Sequence, residues 1–150
     1  MPDFYSIEDV LSFAIRLEQA AQEFYRLLSQ KSHNLPVAQF LMTLVAEEKL
    51  HESQLQQILD ERGAALNHSI SAEEVNRYVQ AMNVSESLDY TNAVKLAMDK
   101  EKAAEMLYSV LAGVMDDNTL KEMFLLLSTQ EKAHKKFFEK EYRRIRVGKN

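Results

Sequence analysis

Apolar positions recur along this chain at alternating steps of three and four, the signature of helices that bury one face. Four long stretches carry the pattern. The first runs from about Ile7, behind a Ser6 cap, to about Gln30. The second takes Pro36 into its first turn and runs to about Arg62, before Gly63. The third spans about Asp89 to Ala112, with Gly113 near its end, and the fourth about Asn118 to Arg146, after a turn at Asp116-Asp117. Ser71-Ala-Glu-Glu74 has the spelling of a capping box, so a shorter helix through Met82 is expected between the second and third stretches.

Two short turns and one long link, residues 64–87, describe two αα-hairpins joined by a crossover. The hairpins are copies of one another. A shift of 83 residues, without a gap, aligns Ala14 with Ala97, Glu18 with Glu101, Tyr25 with Tyr108, Glu48 with Glu131 and His51 with His134. A repeat that keeps polar as well as apolar residues points to a site with pseudo-twofold character, built from both halves.

Composition agrees with an all-α chain and narrows its chemistry. Of 150 residues, 46% are hydrophobic and 27% charged, with three Gly and two Pro; this is one globular domain, residues 1–150, large enough to bury a core without a disulfide or metal staple. The chain has no Cys, which excludes thiolate zinc sites, iron–sulfur clusters and cysteine nucleophiles. His and carboxylates remain as metal ligands. Three acidic residues before Val10 and the lack of a long apolar run leave neither a secretory leader nor a membrane span legible, so a cytoplasmic protein is expected. A net charge of −5 argues against a nucleic-acid surface, although Lys135 to Lys149 is locally basic, as suits a helix C-terminus.

The buried seams hold the candidate chemistry. The first helix gives Leu11, Ala14, Glu18, Ala21, Tyr25 and Leu28, and the third gives Val94, Ala97, Glu101, Ala104, Tyr108 and Leu111. The second gives Leu41, Leu44, Glu48, His51, Leu55 and Ile58, and the fourth gives Phe124, Leu127, Glu131, His134 and Phe138. Counting about 12 residues from Glu18 out to the turn and about 12 back brings Glu48 to the same level; about 11 and 13 do the same for Glu101 and Glu131. Each Glu-x-x-His places both side chains on one face within a turn. Four buried carboxylates are tolerable only if their charge is cancelled, and two divalent cations cancel it. Two neutral imidazoles complete an N/O set suited to Fe or Mn rather than Ca or Mg. His33 and His68 fall in expected turns and receive no role, while Glu23, Glu47, Glu52, Asp99 and Glu122 are expected to face water.

Glu18, Glu48-Lys-Leu-His51, Glu101 and Glu131-Lys-Ala-His134 resemble the ligand pattern of the ferritin-like di-iron carboxylate superfamily, most closely its rubrerythrin-like branch, over about 120 residues. The resemblance implies a ferritin-like four-helix bundle holding two Fe ions, with Mn as the alternative. It makes Glu18 and Glu101 terminal ligands, Glu48 and Glu131 bridging ligands, and His51 and His134 one imidazole for each metal. Tyr25 and Tyr108 become outer partners of the ligands, a role that stands level with that of plain core aromatics. It also implies reaction with hydrogen peroxide or dioxygen, as a peroxidase or ferroxidase. Two features differ from that branch. The Cys-ligated rubredoxin domain is missing, so electrons must come from an external donor. The additional Glu ligand of the third helix is also missing: Met98 and Ala104 lie three residues from Glu101, and Glu105, four residues on, is the outside candidate. The expected assembly is a homodimer, with no nucleic-acid or membrane partner. The rival class is a helical binding or scaffold protein whose metal site is structural or vestigial.

Overall fold

The computed structural model describes residues 4–62, 66, 69–80 and 89–148, and of 77–80 the backbone only. In chain order the described elements are β1 (Phe4–Ser6), α1 (Ile7–Lys31), α2 (Leu35–Arg62), β2 (Ser69–Ser71), α3 (Ala72–Gln80), α4 (Tyr90–Val114) and α5 (Asn118–Gly148). They divide into two compact units, Met1–Met82 and Asn83–Asn150.

In the first unit α1 packs on α2. Ser6 caps α1 by accepting from the Asp9 amide at 3.1 Å, and Asn34 caps α2, its Oδ1 accepting from the Val37 amide at 3.0 Å. Pro36 sits in the first turn of α2, where its missing N–H costs nothing. The turn is pinned where the Ser29 hydroxyl donates to the Ala38 carbonyl at 2.8 Å. Val10, Leu11, Ala14, Leu28, Leu41, Leu44 and Leu55 form the buried seam, all at 1% exposure or less.

A small sheet was not legible in the sequence. β1 and β2 pair antiparallel, with Tyr5 opposite Ile70. Ile70 is buried, and Tyr5 meets the Phe13 ring edge-on at 5.4 Å. Three-residue strands are too short for an alternating pattern to show. The capping-box helix does form, as α3 directly after β2; its expected end at Met82, like Gly63 and His68, lies outside the described residues.

The second unit repeats the first. Asp89 caps α4 by accepting from the Asn92 amide at 2.8 Å, and Asp117 caps α5 by accepting from the Leu120 amide at 3.0 Å. Val94, Ala97, Leu107, Leu111, Phe124, Leu127 and Phe138 are buried to 1% or less, and Tyr108 stacks on Phe124 with ring centroids 6.5 Å apart. Among the described residues, no helix is long and apolar enough to cross a membrane.

Candidate metal centre

In each hairpin the seam delivers two carboxylates and one imidazole to the same level. Glu18 on α1 meets Glu48 and His51 on α2, and Glu101 on α4 meets Glu131 and His134 on α5. His51 Nδ1 lies 3.7 Å from Glu18 Oε1 and 3.5 Å from Glu48 Oε1. His134 Nδ1 lies 3.6 Å from Glu101 Oε1 and 3.8 Å from Glu131 Oε1. All six residues are 4% exposed or less. The 83-residue repeat is thus a repeat of geometry, to within a few tenths of an ångström.

The spacing fits a shared cation. N and O donors bind such ions at about 2.0–2.2 Å, so two donors on one ion lie no more than about 4.4 Å apart. Distances of 3.5–3.8 Å are inside that limit and longer than a good N–H···O bond. One ligand atom from each of Glu18, Glu48 and His51 can be chosen so that none is more than 4.8 Å from another, and the same holds for Glu101, Glu131 and His134. Two carboxylates per hairpin at this depth carry two negative charges out of water, a costly arrangement that a divalent cation neutralises. Oxygen-rich ligation with one imidazole suits Fe or Mn.

The neighbours of each triad differ between the halves. Gln22 and Glu105 occupy equivalent positions, one turn beyond the first Glu of each half, and Glu52 and Lys135 are likewise equivalent. In the first hairpin Gln22 Nε2 donates to Glu52 Oε1 at 2.7 Å, and Gln19 Nε2 donates to Glu52 Oε2 at 3.0 Å. These amides, Gln19 first, hold the Glu52 carboxyl below its ordinary range. Glu52, expected to face water, is half-buried as this clamp between helices. In the second hairpin Lys135 Nζ donates to Glu105 Oε2 at 2.9 Å. The outside candidate ligand is therefore engaged in an ion pair. Burial pushes the Lys100 ammonium down to about 8, against the opposing pull of Glu101 beside it. Tyr25 and Tyr108 are both buried to 1%. His33, Glu23, Glu47, Asp99 and Glu122 are exposed, as expected.

One buried carboxylate was not foreseen from the sequence. Glu141 is 4% exposed, accepts from the Tyr90 hydroxyl at 2.6 Å and takes a two-pronged bond from Arg144 at 2.6 and 2.8 Å. The signal was present: Glu141 follows Phe138 by three, and Tyr90 precedes Val94 by four, so both continue the seams that carry the ligands. The equivalent seam positions of the first half hold Ile7 and Ile58.

Comparison with known proteins agrees with this fold. The rubrerythrin family model matches residues 9–103 and 92–150. A hypothetical protein from Pyrococcus furiosus superposes with a TM-score of 0.74 at 22% identity, covering 93% of this chain and 89% of that one. A Thermotoga maritima protein described as a ferritin-like diiron-carboxylate protein superposes with a TM-score of 0.78 at 19% identity, covering 95% and 98%. At such identities the likeness shows the fold, which is the all-α, ferritin-like fold expected from the sequence. A search of curated proteins finds no match. With its two matched segments spanning nearly all of its length, the chain belongs to the rubrerythrin family.

Proposed function

We propose that this protein is a di-iron oxidoreductase of peroxidase or ferroxidase type, with Glu18, Glu48 and His51 ligating one ion and Glu101, Glu131 and His134 the other. Mn is the alternative metal. The observation that carries the reading is the duplicated, buried Glu/Glu/His triad, whose charge matches one divalent ion per hairpin. When bound, paired Fe(II) supplies electrons to hydrogen peroxide or dioxygen. The chain's residues do the rest. Glu18 and Glu48 are assigned as the carboxylate ligands of the first ion, and Glu101 and Glu131 as those of the second. Ala14 and Ala21, with Ala97 and Ala104, flank the terminal carboxylates with small side chains and leave room beside them. Leu11, Leu44, Leu55, Leu127 and Phe138 keep bulk water from the ligands. Tyr25 and Tyr108 are assigned to hydrogen bonding around the ligands. The 150 residues include no Cys with which to ligate an electron relay; the reading assigns the reductant to an external donor and the protein to the cytoplasm.

Anaerobic loading with Fe(II), elemental analysis and stopped-flow mixing with hydrogen peroxide test this. Two irons per chain, a near-ultraviolet ferric absorption that develops faster than with buffer iron, and recovery on adding reductant are expected. A chain that holds two irons but reacts no faster than free Fe(II) has a structural site, and a chain that holds none refutes the ligand set.

A further inference from the structure

The outward faces of α2 and α5, opposite their ligands, carry a second pattern. On α2 the exposed side chains run from apolar to acidic: Met42, Ala46 and Leu50, then Asp60 and Glu61. On α5 they run from apolar to basic: Leu125, Leu126 and Ala133, then Lys136, Lys140 and Arg143. Met42, Leu50, Leu125 and Leu126 are 43–57% exposed. Both stripes lie within about 60° of the direction opposite Glu48 or Glu131, taking 100° per residue. Each is about 28 Å long from Met42 to Glu61, or from Leu125 to Arg144.

We infer that these faces are two sides of one interface, the α2 face of one copy of this chain docking in parallel on the α5 face of a second copy. The 83-residue repeat supplies the register. With the repeat aligned, Leu50 meets the partner's Ala133 and Thr43 meets the partner's Leu126, a small side chain against a large one each time. Asp60 meets the partner's Arg143, and Glu61 lies within reach of the partner's Lys140. Only parallel packing places apolar against apolar and acidic against basic along the same line. Two copies of α2, or two of α5, would set like charges together if parallel and charges against apolar side chains if antiparallel. The first half carries Asp60 and Glu61 where the second carries Arg143 and Arg144, so the halves have opposite signs at matched positions. A foreign polyanion would satisfy Lys136, Lys140 and Arg143 and leave Leu125 and Leu126 in water. A second copy covers both.

Light scattering and sedimentation of the full chain at low ionic strength, over about a hundredfold range of concentration, read the outcome. Exposed ion pairs are screened by salt, so association should weaken as salt rises. The wild-type chain should associate. The variant K136E/K140E/R143E and the variant D60K/E61K should each be monomeric, with unchanged helical circular dichroism. Their equimolar mixture should associate again, because each now presents the face the other lacks. The milder K136Q/K140Q should weaken association without abolishing it. A wild-type chain that is monomeric throughout, or variants that associate as wild type does, or a mixture that stays monomeric, overturns the inference. Retention of a monomeric chain on an acidic polymer through Lys136 and Lys140 also overturns it and assigns the α5 face to a polyanion.

Discussion

Replacing His51 by Ala removes the only nitrogen donor of the first triad and leaves Glu18 and Glu48 buried at 2% and 1% exposure. Loss of a group that merely orients a ligand costs 10–100-fold in metal affinity, so loss of the ligand should cost at least about 100-fold, or about 2.7 kcal/mol. The effect should be local. His51 Nδ1 stands within 3.7 Å of carboxylate oxygens of its own hairpin, and His134 repeats this with Glu101 and Glu131. Anaerobic Fe(II) titration with elemental analysis should therefore fall from two ions per chain to one tight ion, equally for His51→Ala and His134→Ala. At a metal concentration a hundredfold above Kd, each site adds about 2.7 kcal/mol by linkage, so filling both raises Tm by roughly 10–20 °C and each variant by about half. Exposed His33 is the control, and His33→Ala should change neither number. Two tight ions in both variants would show that the histidines are not ligands. Loss of both ions from either variant would show that the triads do not act as separable halves.

Tyr90→Phe removes the hydroxyl bonded at 2.6 Å to buried Glu141 and should lower urea-derived stability by about 1.5–3 kcal/mol; a loss under about 0.5 kcal/mol would contradict the burial of that carboxylate's charge. The double variant Tyr90→Phe/Glu141→Leu should cost less than Tyr90→Phe alone, since no buried acceptor is left short of a donor. Phe124→Ala, at a fully buried position stacked on Tyr108, should cost about 3–5 kcal/mol on the same assay. The Glu52 carboxyl is depressed by Gln19 and Gln22, so its stabilising contribution is complete above the unfolded-state pKa and lost as pH falls through the folded one. Metal-free Gln19→Ala/Gln22→Ala should accordingly lose less stability than wild type between about pH 5 and pH 3; parallel acid limbs would show that these amides do not set the charge of Glu52.

The seam was legible because burial, not propensity, is what it reports. A Glu that recurs at the spacing of Leu and Ala faces the same way as they do, and Glu18, Glu48, Glu101 and Glu131 are buried for that reason. The same logic reaches Tyr90 and Glu141, one step beyond where the stripes were closed. Other features are products of packing. Glu52 looks like a surface residue on its own helix, and only the apposition of α1 and α2 brings Gln19 and Gln22 to it. β1 and β2 pair across more than 60 residues of sequence, with only three residues each. Helix ends shifted by one or two residues, Lys31 for Gln30 and Val114 for Ala112, because the last turn of a helix is held by few bonds.

What the two halves keep and what they change separates chemistry from packing. Two carboxylates set a charge that a single divalent ion cancels, and the imidazole adds a neutral donor, so a change of either carboxylate alone leaves the balance wrong. Both triads are intact. Two to three turns beyond the ligands the constraint is only that a seam be filled or its polar groups satisfied, and there Ile7 with Ile58 in one half and Tyr90 with Glu141 and Arg144 in the other are both adequate. Between helices the requirement is a polar lock, met by Gln22 and Glu52 in one half and by Glu105 and Lys135 in the other, with the acid moved to the opposite helix. On the outer faces the requirement on a lone chain is weaker still, since exposed charges contribute little to its fold. Drift alone would scatter signs there. Opposite signs on the two faces, Asp60 and Glu61 on α2 against Lys140 and Arg143 on α5, are what complementary surfaces require.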